Sequence, residues 1–291
     1  EKKLSNLNLG AFPAPVTNGN YLVYNHNDKN TNWKNRIFLF NIAAGQNVQI
    51  TNGPYGEALP DIFGNAVVWM GVESSTGSVS NIYICNIGEN SANYGCTTGN
   101  FKKLTDSNYL SNKRSPKIDQ NYVVFSDNRY NKYYSNVFLL DINTNQEKLI
   151  SDNVAYHTYG PIAIQGDYVL FSDNDLITYK IDLKVYSISQ NKVIATLNPG
   201  WKSLPSLDIY GNMIGYLWGA NQCGYDPRGW PPLCDNYLHV YNIATGQTSV
   251  TNIGGTAGQQ QTSLRIYDNM VVWQAASEGI NTNLDIYYTT I

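Results

Sequence analysis

Six times along the chain a short turn leads into the same apolar run. The copies are Gly19-Asn-Tyr-Leu-Val-Tyr24, Gly64-Asn-Ala-Val-Val-Trp69, Gln120-Asn-Tyr-Val-Val-Phe125, Gly166-Asp-Tyr-Val-Leu-Phe171, Gly211-Asn-Met-Ile-Gly-Tyr216 and Asp268-Asn-Met-Val-Val-Trp273. A Gly/Asn turn followed by β-branched and aromatic residues predicts a tight hairpin feeding a buried strand. An apolar stretch containing Pro15, Pro60, Pro116 or Pro161 precedes four of the turns and predicts the first strand of each repeat. Beyond a polar loop comes a third strand, predicted at 36–42, 81–87, 136–142, 183–188, 237–243 and 283–291. In Asn136-Val-Phe-Leu-Leu-Asp-Ile142 it alternates as a half-buried strand does. A turn such as Ala44-Gly45-Gln46 or Thr245-Gly246-Gln247 leads to a fourth strand, predicted at 47–51, 101–105, 147–151, 193–197 and 248–252. No window sustains a helical apolar period.

Starts of successive copies lie 45, 56, 46, 45 and 57 residues apart. The two long intervals belong to the repeats that hold the cysteines, so the underlying period is about 45 residues. Four short strands at that period predict an all-β chain folded as a six-bladed β-propeller. The predicted blades are 12–51, 58–105, 114–151, 159–197, 204–252 and 262–291, within one domain spanning residues 1–291. The sixth repeat ends after three strands. Glu1-Lys-Lys-Leu-Ser5 matches Phe101-Lys-Lys-Leu-Thr105, a fourth strand. Residues 1–5 are therefore expected to complete the last blade and remove an open edge.

Charged residues make up 14% of the chain and the formal net charge is −3, so a nucleic-acid partner is not expected. No apolar run approaches the ~18 residues of a membrane-spanning helix. The first residue is Glu, as in a processed chain or an excised domain. Cys85/Cys96 and Cys223/Cys234 show no metal or redox spacing, and each pair predicts a disulfide that staples one loop. Disulfides persist outside the reducing cytosol, so a secreted, cell-surface or periplasmic location is expected. Asn is abundant at 38 residues, yet no Asn-x-Ser/Thr acceptor occurs, so N-glycosylation is not.

The repeat resembles TolB-like and archaeal or bacterial cell-surface propeller repeats. Their blades read Pro-x-Ile-x-Gly-Asn-x-Val-Val-Trp, then Asp-x-Arg, then Ile-Tyr-x-Tyr-x-Ile-x-Thr-Gly, then Leu-Thr. The nearest copies here are the segments 60–69, Asp127-Asn128-Arg129, Asn81-Ile82-Tyr83, 241–246 and Lys103-Leu104-Thr105. The Asp-x-Arg element is retained in one blade only. The resemblance implies an exported scaffold or binding module and supplies no catalytic residue.

In such a ring the second-to-third strand loops and the blade-to-blade loops share one face. The second-to-third loops are expected to carry Asn25-His26-Asn27-Asp28, Asp127-Asn128-Arg129, Asp173-Asn174-Asp175 and Glu278, with Trp33, Tyr130, Tyr133, Tyr134 and Trp230. The blade-to-blade loops are expected to add Tyr55, Tyr109, Tyr156, Tyr159 and Trp201. Three readings compete for these aromatics: padding between diverging blades, anchoring a protein partner, and stacking on sugar. The stapled loop 219–235 gathers Arg228, Trp230 and three prolines. With Trp201, Trp33, Tyr133 and Tyr134 it forms the candidate binding set. Asp173 and Asp175 offer oxygens to Ca²⁺, which needs about six to eight, but such runs also cap turns, and no cofactor is expected.

The expected function is a non-catalytic extracellular module for protein contact, self-association included, or glycan binding. The alternative is a carbohydrate-active lyase or hydrolase using His26, His157, Asp28 and Asp175 at the channel mouth.

Overall fold

The turn residues that punctuate the repeat explain the architecture that follows. In the computed structural model Gly19, Gly64, Gln120, Gly166, Gly211 and Asp268 all have positive φ, between 50° and 92°. Each starts the turn from a first to a second strand, where only a left-handed residue reverses the chain so tightly. Gly45, Asn145, Asn191 and Gly246 do the same between third and fourth strands. Side chains of Asn41, Asp141 and Asn242 cap these later turns by accepting backbone N–H groups. Part of the asparagine excess is thus turn chemistry.

The structure describes residues 15–28, 34–88, 96, 101–105, 110–152, 157–178, 180–201, 206–219, 236–252, 261–276 and 284–291. They form antiparallel strands and no helix. The chain divides into two units, Glu1–Asn153 and Val154–Ile291, each with three sheets whose strands follow chain order.

In the first unit the sheets are β1 (Val16–Thr17), β2 (Tyr21–Asp28), β3 (Lys34–Asn41) and β4 (Gln46–Gln49); β5 (Glu57–Phe63), β6 (Ala66–Val72), β7 (Ser80–Asn86) and β8 (Phe101–Lys103); and β9 (Lys113–Asp119), β10 (Tyr122–Asn131), β11 (Tyr134–Asp141) and β12 (Gln146–Leu149). The middle sheet buries both faces, which is why Val67-Val68-Trp69 is continuously apolar. Val67 and Trp69 join Val23, Ile37, Leu39 and Ile50 of the first sheet. Val68, Ile82 and Ile84 join Ile118, Val123, Phe125 and Phe138 of the third. The sole described disulfide, Cys85–Cys96, lies buried in the first of these layers and ties the loop before β8 to β7.

In the second unit the sheets are β13 (His157–Gln165), β14 (Tyr168–Asp175), β15 (Lys180–Ser187) and β16 (Lys192–Trp201); β17 (Leu207–Tyr210), β18 (Met213–Gly219), β19 (Asn236–Asn242) and β20 (Gln247–Asn252); and β21 (Gln261–Tyr267), β22 (Met270–Ala276) and β23 (Leu284–Thr290). Leu170, Leu183 and Val185 pack with Leu207, Ile209 and Ile214, and Leu217, Leu238 and Val240 with Leu264, Ile266 and Val271.

Sheets within a unit are also joined by polar side chains of their first strands. Asp61 Oδ2 accepts from Ile118 N (2.9 Å), and Asp208 Oδ2 accepts from Ile266 N (3.1 Å). Both acids stand three residues before a repeat turn. At that same position the following sheets carry Lys117, 3.6 Å from Asp61, and Arg265. A buried N–H that would otherwise lack a partner is satisfied in both units by one device.

Several strands run further than the pattern predicts. Asn25–Asp28, Asp127–Arg129 and Asp173–Asp175 belong to β2, β10 and β14 rather than to loops. His157 and Tyr159 begin β13, and Trp201 ends β16. Polar ends of long hairpins keep their ladder bonds because each strand satisfies its neighbour, whatever the side chains. Residues 1–5, the expected closing strand, lie outside the described residues, as do Trp33, Tyr109, Tyr156, Glu278 and the loop holding Cys223, Arg228, Trp230 and Cys234.

Candidate functional site

The last aromatic of the repeat motif always faces the same position of the third strand. The cross-strand partners are Tyr24 with Phe38, Trp69 with Tyr83, Phe125 with Phe138, Phe171 with Lys184, Tyr216 with His239, and Trp273 with Tyr287. Directly opposed aromatics stabilise a sheet laterally. The first three pairs stack with interplanar angles of 15–17°. Tyr216 and His239 stack at 4.9 Å. Burial pushes the Tyr216 hydroxyl up to about 12 and holds the His239 imidazole below its usual value, so His239 acts as a neutral packing ring.

In the second sheet a third ring joins the pair from the fourth strand. Phe101 occupies the ladder position held in other fourth strands by Asn47, Glu147, Val193 or Thr248. It meets Tyr83 and Trp69 edge-on, with centroids 5.7 and 6.2 Å apart. These rings, with Thr51, Asn52, Gly53, Pro54, Glu57, Gly71 and Val72, enclose a cavity of about 70 Å³ between the first two sheets. Gly71 has to be glycine, because a Cβ there would lie 2.6 Å from the Tyr83 ring. Glu57 is held from all sides: Oε1 accepts from Gly53 N, and Oε2 accepts from Thr51 Oγ1 at 2.7 Å and from buried Arg36. Burial nevertheless raises the Glu57 carboxyl above the usual range. The Tyr83 hydroxyl donates to Glu73, which also pairs with Lys103. Both acids beside the cavity are therefore matched by a cation.

The third sheet holds a buried ionic cluster. Lys113 and Asp127 are fully buried, with Nζ 3.7 Å from Oδ2, and Lys113 also donates to Ser111 Oγ at 3.0 Å. Arg129 reaches Asp127 at 2.6 Å and Glu147 at 2.7 Å, while its guanidinium lies 4.1 Å over the Phe138 ring. Burial pushes Lys113 below the ordinary lysine range, with Asp127 pulling the other way. The retained Asp-x-Arg element is thus the interior of a blade. Beyond it the β10–β11 hairpin turns at Lys132 and Tyr133, with Asn131 paired to Tyr134. Asn128 Nδ2 donates to Lys132 O, and Tyr133 N donates to Asn131 Oδ1. This braced tip presents Tyr130 and Tyr133 at 52% and 72% exposure, with Tyr134 edge-on to Tyr133.

Of the other expected site residues, His26 sits on β2 with its ring edge-on to Phe38. Beside it Asn25 is buried, and neither amide atom finds a partner among the described residues. Asp28 ends the same strand. In the second unit His157 and Asp175 are cross-strand partners in backbone register. The Asp175 carboxylate, however, accepts from Ile177 N, Thr178 N and Thr178 Oγ1 and serves as a turn cap. Asp173 is buried near Lys184 at 3.9 Å. Among the described residues no three His, Cys, Asp or Glu side chains converge on a metal-sized site. The alternation of apolar and polar residues gave no warning of Glu57, Tyr83 or Lys113.

No protein-family model matches the chain, and no curated protein is similar to it in sequence. Solved structures it resembles include the β-propeller domain of the Trilobed protease from Pyrococcus furiosus, with TM-score 0.60 and 12% identity over 95% of this chain and 80% of that one. Acylaminoacyl peptidase matches with TM-score 0.61 and 12% identity, over 95% of this chain and 44% of that one. TolB from Acinetobacter baumannii matches with TM-score 0.55 and 12% identity, over 84% and 55%. The chain thus spans about half the length of the latter two. These likenesses establish one thing, that the fold is a β-propeller.

Proposed function

We propose that this propeller is an exported, non-catalytic module that binds protein, a second copy of itself included, through the end of its sheets where second-to-third hairpins emerge. The observation that carries the reading is the β10–β11 tip. Tyr130 and Tyr133 are large rings with few torsions, and they are exposed on a turn whose backbone is already braced. Aromatic anchors held in advance lose little entropy on docking. Export is supported by the Cys85–Cys96 disulfide. Sedimentation of the wild-type chain is expected to show concentration-dependent association that Tyr130→Ala/Tyr133→Ala abolishes without changing its melt. Association unaffected by the double variant would sink the proposal, and a glycan-array signal lost in that variant would replace protein by sugar.

The finer organisation proposed with it is one ring of six blades, with residues 1–5 as fourth strand beside β23. It is supported by the match of Glu1–Ser5 to Phe101–Thr105, which spans β8, and by the three described strands of the last sheet. Deleting residues 1–6 is expected to cost several kcal/mol and lower Tm, since a blade edge loses its ladder. An unchanged melt would exclude closure.

A further inference from the structure

The cavity between the first two sheets has a size and chemistry that select a guest. We propose that it is a subsite for a single prolyl ring from an extended segment of the protein partner, a reading that rests on the protein-binding function above. Its volume of about 70 Å³ is roughly half that of a cavity that accommodates benzene. A group of a few carbons fits inside it. Charge points the same way. Glu57 is matched by Arg36, and Glu73 by Lys103, so the cavity offers no unbalanced charge to an ammonium, guanidinium or carboxylate. Both Glu57 oxygens already accept hydrogen bonds.

What remains is a wall of rings, Trp69, Tyr83, Phe101 and Pro54. Proline has no backbone N–H, so burying its ring, backbone nitrogen included, leaves no donor without a partner. Its polyproline conformation is also formed before binding, and aromatic-lined grooves are the usual receptors for it. At the mouth Phe101 and the neighbouring Tyr55 are about two-fifths exposed, and exposed Asn52 can bond the peptide groups flanking the ring.

The test is titration of the whole chain with a decaproline peptide, followed by Trp fluorescence and by backbone NMR shifts. Saturable shifts are expected at Asn52–Glu57, Gly71 and Phe101. Affinity should fall by at least about tenfold in Phe101→Ala and in Asn52→Trp, which plugs the mouth from an exposed position. Tyr130→Ala/Tyr133→Ala should bind the peptide as wild type does. No saturable binding, equal binding by both cavity variants, or equal affinity for a polyleucine control of matched length made soluble by terminal lysines would each overturn the proposal. Because self-association is read at the hairpin tip and peptide binding at the cavity, failure of one is distinguishable from failure of the other.

Discussion

Asp127→Ala is expected to lower the unfolding free energy by roughly 3–5 kcal/mol, the cost of leaving buried charge without its counter-ion. Asp127 lies between two cations. Lys113 is fully buried 3.7 Å away, and Arg129 donates to it at 2.6 Å. After the substitution Glu147 still serves Arg129, and of the charges left around Lys113 the Arg129 cation acts more strongly than the Glu147 anion. Coulomb attraction in so dry a place is what keeps Lys113 charged against a burial that already depresses its pKa. Urea unfolding followed by Trp fluorescence measures the loss. Adding Lys113→Met to Asp127→Ala should restore part of it, because a buried cation is then removed together with its partner. If Asp127→Ala costs under about 1 kcal/mol, as exposed pairs do, the cluster is solvated and this account of it is wrong.

The second large effect is expected at the disulfide. Replacing both Cys85 and Cys96 by Ala should cost about 3 kcal/mol, from the chain entropy of a loop closed across a sequence separation of 11. The loss should be felt first at β8. That strand has three residues and follows the stapled loop directly, with Cys85 opposite Phe101 in the ladder. Hydrogen exchange is expected to show the amides of 101–104 opening well before those of β6 and β7. Uniform protection across the sheet would mean that Leu104, which is buried and bonds Ile82 O through its N–H, holds β8 unaided.

The repeat was legible because each of its residues answers to a local rule. Gly at the turns follows from positive φ, and the apolar run from strands buried on one face or both. Asn41, Asp141 and Asn242 follow from turns that need a capping oxygen. Where the local reading fell short, the reason was also physical. Polar hairpin ends such as Asn25–Asp28 read as loops, since polar side chains there carry no apolar period, yet their backbones pair as strands. Tyr133 and Tyr134 were recognisable as candidates because aromatics in a polar stretch have no local reason to be there. The cavity had no comparable signature. Trp69, Tyr83 and Phe101 each read as strand aromatics, and nothing in their spacing tells that Glu57 and Pro54 of another segment close over them.

By itself the amino-acid sequence determined the period, the four-strand repeat, the turn positions and the pairing of Cys85 with Cys96, all of which depend on contacts close along the chain. Only the tertiary structure decided that Asp127 neutralises Lys113, that Arg36 neutralises Glu57, and that Phe101 leaves a gap beside Tyr83. Such relations join residues from different strands or sheets. Their energies depend on distance and on the exclusion of water, which no pattern along one strand encodes.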